Sequence, residues 1–122
     1  THDPIVEVKP TKQRRVISEE TSKQMRYALE SVVANGGGKP AYLEGYQIGG
    51  KTGTAQKAEN GVYSHSNYIL SFLSAAPMND PQIVLYVAAD SPNNDILYGG
   101  TVIAPIVKAC YEDILPYLGI EI

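Results

Sequence analysis

The 122-residue chain has one cysteine, Cys110, so it can form no internal disulfide and no cysteine-based metal site. Cys110 falls on the apolar stripe of an expected helix, where a small buried hydrophobe is the natural reading. The two histidines, His2 and His65, share no ligand spacing with each other or with Cys110, so no metal is implied. No run approaches the roughly 18 apolar residues of a membrane span, and no signal-peptide pattern opens the chain. An excess of positive charge is also missing. Ten Lys and Arg against 13 Asp and Glu leave a net charge of −3, which argues against nucleic acid as a partner. The short cluster Lys9, Lys12, Arg14 and Arg15 reads as solvated surface. The first residue is Thr1 rather than methionine, which suggests a processed or excised segment, and the compartment cannot be read from composition.

An apolar fraction of 43% permits a real core, and the length suits one domain or a piece of one. Ile5 to Val8 and Arg15 to Ile17 are candidate short strands around a Pro10-Thr11-Lys12 turn. Ser18-Glu19-Glu20-Thr21 then reads as a capped helix start with acids in the first turn. Met25, Ala28, Leu29, Val32 and Val33 supply one apolar face, and Gly36-Gly37-Gly38 stops the helix through a left-handed glycine cap. Three strands follow at Ile48 to Gln56, Asn67 to Ala76 and Gln82 to Asp90. They are joined at Asn60-Gly61 and at Pro77 to Pro81, short connections that make antiparallel neighbours. A final helix spans Thr101 to Leu118, with Ile103, Ile106, Val107, Cys110, Ile114, Leu115 and Leu118 on one side, Pro105 in its first turn and Gly119 at its end. The expected class is α+β, an antiparallel three-strand meander flanked by helices. The last two strands are apolar on both faces, and two helices can hardly cover both, so the chain reads as part of a larger sandwich.

Two chemistries compete for Gly45-Tyr46-Gln47-Ile48-Gly49-Gly50-Lys51-Thr52. The letters match a phosphate-binding P-loop, and the apolar run Ile83 to Ala89 ending in Asp90 resembles its magnesium-binding strand. A P-loop, however, needs a buried strand entering and a helix leaving. Here the entry, Lys39 to Gln47, is polar and contains Pro40, while Gly53 and the β-branched Thr52 and Thr54 suit a strand. Nucleotide binding is therefore the disfavoured alternative. The other reading is a K-T-G strand. Lys51 offers fixed charge to a carboxylate, the threonine hydroxyls offer directional bonds, and Gly53 lets a peptide approach the backbone. Lys51 and Gly53 should face one way, Thr52 and Thr54 the other.

The stretch Ala41 to Lys57 as a whole resembles class B penicillin-binding proteins, which are peptidoglycan D,D-transpeptidases. The resemblance continues through Tyr68-Ile69-Leu70-Ser71-Phe72, Ala76-Pro77, Asp80-Pro81, Asp90-Ser91-Pro92, Gly99-Gly100 and Ala104-Pro105. It runs from about Ile5 to Ile120 and is close to the division and spore-wall types of Gram-positive bacteria. Gly37 departs from it, standing where relatives often have threonine. The resemblance implies that residues 1–122 form the C-terminal part of a transpeptidase domain with a penicillin-binding-protein and serine β-lactamase-like fold. It also implies cross-linking of stem peptides through a serine acyl-enzyme, and acylation of the same serine by β-lactams. It makes Lys51 catalytic, beside the nucleophile, and makes Thr52, Gly53 and Thr54 substrate-binding, with the Thr54 N–H in the oxyanion hole. No cofactor is implied.

No serine here is followed by lysine at the third position, and Ser91-Pro92-Asn93 lies after the K-T-G strand, where an S-x-N motif does not belong. The expectation is a segment inactive alone, whose partners are stem peptides, β-lactams and the N-terminal half of the domain. The strand Gln82 to Asp90 would lack its family neighbour, so self-association through that edge is a further expectation. The parent protein would be membrane-anchored, with its domain on the extracytoplasmic face. A non-catalytic wall-peptide-binding scaffold and a serine β-lactamase relative are the remaining alternatives. Glu44 and Asp95 form no carboxylate pair, and the nine tyrosines read as packing.

Overall fold

The computed structural model describes residues 3, 5–93 and 98–121; His2 and Asp95 lie outside them. Helix α1 spans Glu19–Asn35 and starts as the sequence suggests, with the Ser18 hydroxyl accepting the Thr21 N–H at 3.1 Å ahead of Glu19 and Glu20. Its end differs from expectation. Gly36 has φ −120°, outside the left-handed region, and the amides of Gly36 and Gly38 both donate to the Val32 carbonyl. Space is what glycine provides there, since a Cβ on Gly36 would sit 3.0 Å from that carbonyl oxygen. A short 3-10 turn, Lys39–Ala41, follows.

Strands β1 (Gly49–Glu59), β2 (Val62–Ala76) and β3 (Ile83–Asp90) form one antiparallel sheet in the order β1-β2-β3. Both turn residues of the first hairpin, Asn60 and Gly61, have positive φ, which matches the right-handed twist of the strands they join. β1 and β2 run further toward that turn than the sequence indicates, because the polar stretch Val62 to Ser66 carries too weak an alternation to read as strand. Ile5 to Val8 and Arg15 to Ile17 are not strands. They lie exposed, because neither has a neighbour to satisfy its backbone.

The expected C-terminal helix is two helices, α2 (Gly99–Val102) and α3 (Ala104–Tyr117). Pro105 has no N–H to bond the Thr101 carbonyl, and its ring would crowd that group, so one continuous helix cannot pass. Gly119 ends α3 at φ +72°, as expected. The buried residues of α3 are Ala104, Val107, Tyr111 and Leu115, continuing from Ile103 just before it; the stripe is rotated from the expected one, so Ile106 and Leu118 stay exposed. It packs on Leu70, Phe72 and Ala76 of β2 and meets Ser74 through Tyr111. At the centre, Ser74 Oγ donates to the Leu85 carbonyl at 2.9 Å. Its one hydrogen is thereby used, so the Tyr111 hydroxyl donates to Ser74 Oγ, also at 2.9 Å.

Burial raises the Tyr111 pKa above its ordinary 10.0, with the Ser74 bond pulling the other way. A folded-state value above the unfolded one means a stabilising contribution that is whole below pH 10 and fades as the pH climbs through the folded-state value. Tyr111→Phe is expected to cost about 1 kcal/mol at neutral pH and to flatten the loss of stability above pH 10. Urea melts across that range check both.

Among the described residues, the opposite face of the sheet is covered near β1, by α1 around Leu29 and Glu30 and by Met78. Leu73, Val84 and Tyr86 form an exposed apolar patch there, with Val84 68% and Tyr86 60% accessible.

Candidate active-site strand

β1 is an edge strand, and its pairing decides which backbone groups are free. The Ser91 N–H donates to the Tyr68 carbonyl at 2.8 Å, and Ser74 Oγ reaches the carbonyl of Leu85, its partner in β3. Even-numbered residues of β2 therefore turn their N–H and C=O toward β3, and odd-numbered residues turn theirs toward β1. Through the register Leu73↔Lys51, Ser71↔Gly53 and Ile69↔Ala55, the peptide groups of Lys51, Gly53 and Ala55 bond to β2. Those of Thr52 and Thr54 point into the open edge. An extended peptide laid along β1 meets a free N–H at each threonine.

The side chains divide as the sequence suggests. Lys51 lies on the α1 face, lining an apolar groove with Leu29, Leu73, Met78 and Val84, and its ammonium donates to the Thr52 carbonyl at 3.1 Å. Thr52 and Thr54 lie on the other face, in a cavity of about 310 Å³ walled by Gly37, Pro40, Tyr98 and Gly99 to Thr101. One enclosed pocket does not gather Lys51 and the threonines; they share the open edge, which both faces adjoin.

Close packing fixes this strand from behind. A Cβ on Gly50 would come 2.5 Å from the Phe72 ring and 2.6 Å from the Leu73 carbonyl oxygen. A Cβ on Gly99 would come 2.9 Å from the Ser71 carbonyl and 3.2 Å from Thr52 Cβ, so α2 sits directly against Thr52. Sequence reasoning missed this wall. Gly99-Gly100 stood out only as letters, and nothing in the spacing tied Tyr98 or Gly37 to a strand more than ten residues away.

Lys51 is the third residue of β1, which starts at Gly49, with no helix leaving it, which removes the P-loop reading. Ser91 belongs to the turn after β3, bonded to Asp90 and Lys57, away from the Lys51 groove.

The family model for the penicillin binding protein transpeptidase domain matches residues 3–112. The chain belongs to the penicillin-binding protein transpeptidase family. It is 57% identical over 112 residues to stage V sporulation protein D of Bacillus subtilis, covering 92% of this chain and 17% of that protein. It is 44% identical over 103 residues to a peptidoglycan D,D-transpeptidase FtsI homolog of Chlorokybus atmophyticus, covering 84% of this chain and 15% of the other. The transpeptidase domain of Burkholderia pseudomallei penicillin-binding protein 3 superposes with a TM-score of 0.77 at 40% identity, over 88% of this chain and 33% of that one. Mycobacterium tuberculosis penicillin-binding protein 3, solved with aztreonam, gives 0.77 at 28% identity, over 88% and 26%. The expected three-strand antiparallel fold with flanking helices is thus that of solved transpeptidase domains, and the chain spans about a sixth of its curated relatives.

Proposed function

We propose that these residues supply the substrate-binding strand of a peptidoglycan D,D-transpeptidase that works through a serine acyl-enzyme. The observation that carries this reading is the free edge of β1, where the Thr52 and Thr54 amides open outward beside Lys51. Lys51 holds the protein side of the hydrogen-bond network at the nucleophile and attracts the carboxylate of a stem peptide or a β-lactam. The hydroxyls of Thr52 and Thr54 bind that carboxylate, Gly53 allows the close backbone approach, and the Thr54 N–H donates to the developing oxyanion. The nucleophile and its base come from an N-terminal part of the domain bearing S-x-x-K and S-x-N. That part would cover the open edge of β3 and the patch of Leu73, Val84 and Tyr86; without it, this edge favours self-association. None of the helices among the described residues is long and apolar enough to cross a membrane. We place the domain on the extracytoplasmic face of a bacterial membrane, anchored by another part of the protein.

The test is a chimera in which these residues replace the matched stretch of Bacillus subtilis stage V sporulation protein D. The chimera is expected to take up one fluorescent penicillin covalently, while the 122-residue chain alone takes up none by intact-mass spectrometry. A chimera that melts cooperatively but stays unlabelled contradicts the proposal, as does a covalent adduct on the chain alone.

A further inference from the structure

The β1–β2 ladder lapses just beyond the substrate-binding residues. Gln56 pairs with Tyr68, but the next pair is Ala58 with Tyr63, so one residue of β1, Lys57, faces four of β2, Ser64 to Asn67. Those four fold into a small turn in which Ser64 Oγ accepts the amides of Ser66 and Asn67. They remain part of β2 but bulge out of the ladder and pair with no residue of β1. Ala55, opposite Ile69, is the last β1 residue whose peptide groups bond β2 before this gap.

Side chains hold the strand where the backbone does not. Lys57 Nζ lies 2.9 Å from Asp90 Oδ1 and 3.3 Å from Ser91 Oγ, and the Ser91 hydroxyl donates to the same Asp90 oxygen at 2.9 Å. Ala55, Ile69 and Asp90 form one row across the sheet, so Lys57 reaches over β2 to β3, roughly 10 Å at ordinary strand spacing. Ser91 takes φ +49° and donates its N–H to the Tyr68 carbonyl, which fixes the receiving end to β2. The Lys57 side chain is 29% accessible, against 64% for Asp90. Its bond, ahead of that from Ser91, holds the Asp90 carboxyl below its ordinary range. From within the gap, Asn67 donates to Glu59 on its far side at 2.8 Å and closes the base of the hairpin tip separately.

We propose that Lys57 is a positioning residue for the substrate-binding strand, clamping β1 to β3 across the gap so that the Thr54 amide keeps its outward aim. The role in substrate binding rests on the transpeptidase reading; the clamp itself does not. Lys57 touches no reacting atom and acts only through the course of residues 54 to 57.

Amide hydrogen exchange by NMR on the 122-residue chain tests it, comparing wild type with Lys57→Met, Asp90→Asn and Lys57→Arg. Lys57→Met and Asp90→Asn are each expected to speed exchange at Ala55 about two- to fivefold, the range an ion pair of this exposure supports. The β2 amides of Leu70 and Phe72 and the urea midpoint should hold steady. Lys57→Arg should restore the wild-type rate, and the Met/Asn double variant should exchange no faster than either single one. An unchanged Ala55 rate in Lys57→Met overturns the clamp, as does a speed-up shared equally by Leu70 and Phe72. If the chimera refuses penicillin while Ala55 behaves as expected, the transpeptidase reading fails and the clamp stands.

Discussion

Phe72→Ala is expected to destabilise the chain by about 3–5 kcal/mol, the range for emptying a buried phenylalanine site. Phe72 is fully buried in β2 between two things that must stay together. On one side it belongs to the cluster with Val107, Tyr111 and Leu115 of α3. On the other, its ring stands where a Cβ on Gly50 would fall and 3.4 Å from where one on Gly38 would lie. The neighbours cannot close over the hole readily. Gly50 belongs to the ladder, and α2 is already pressed against Thr52, so the cavity should persist and the cost should sit high in its range. Urea denaturation should show a lower midpoint with little change in slope. A cost below about 1 kcal/mol would mean that the α3–β2 packing is looser than described.

Lys51→Ala, placed in the chimera, should slow acylation by penicillin about 10- to 100-fold, the range for losing one charge-assisted hydrogen bond. The cost in stability should be small, because the ammonium is exposed and, among the described residues, bonds the neighbouring Thr52 carbonyl alone. Lys51→Arg should recover little. A planar guanidinium carries its charge in a different shape from the compact ammonium that bonds the Thr52 carbonyl at the open edge. The measurement is the second-order rate of covalent labelling, read beside a thermal melt of each variant. A Lys51→Ala chimera labelled at the parent rate would remove Lys51 from the site.

Much of this was legible in the sequence where local chemistry decides. The Ser18 cap, the Asn60-Gly61 turn, the strand character of Lys51 to Thr54 and the opposite facing of Lys51 and Thr52 follow from rules that act within a few residues. What failed depended on distant neighbours. Ile5 to Val8 has the composition of a strand but lies exposed and pairs with neither open edge of the sheet. Pro105 looked harmless in a first turn, yet it splits the last segment and so turns the α3 stripe toward Tyr111. The cavity wall at Gly37, Tyr98 and Gly99 joins residues far apart in the chain, with no periodicity to link them. The gap at Lys57 was hidden because Ser64 to Ser66 read as connection, and Asn67 as a strand start, rather than as a bulge in a continuing strand.

The proposed transpeptidase role requires the Thr54 N–H, free at the open edge of β1, to receive the oxygen of an acyl group. A crystal structure of the penicillin-treated chimera tests it most directly. The acyl carbonyl oxygen is expected about 2.7–3.1 Å from the Thr54 nitrogen, with the drug carboxylate at the hydroxyls of Thr52 and Thr54. An acyl oxygen turned away from β1, with the Thr54 amide bonded to protein instead, would contradict it.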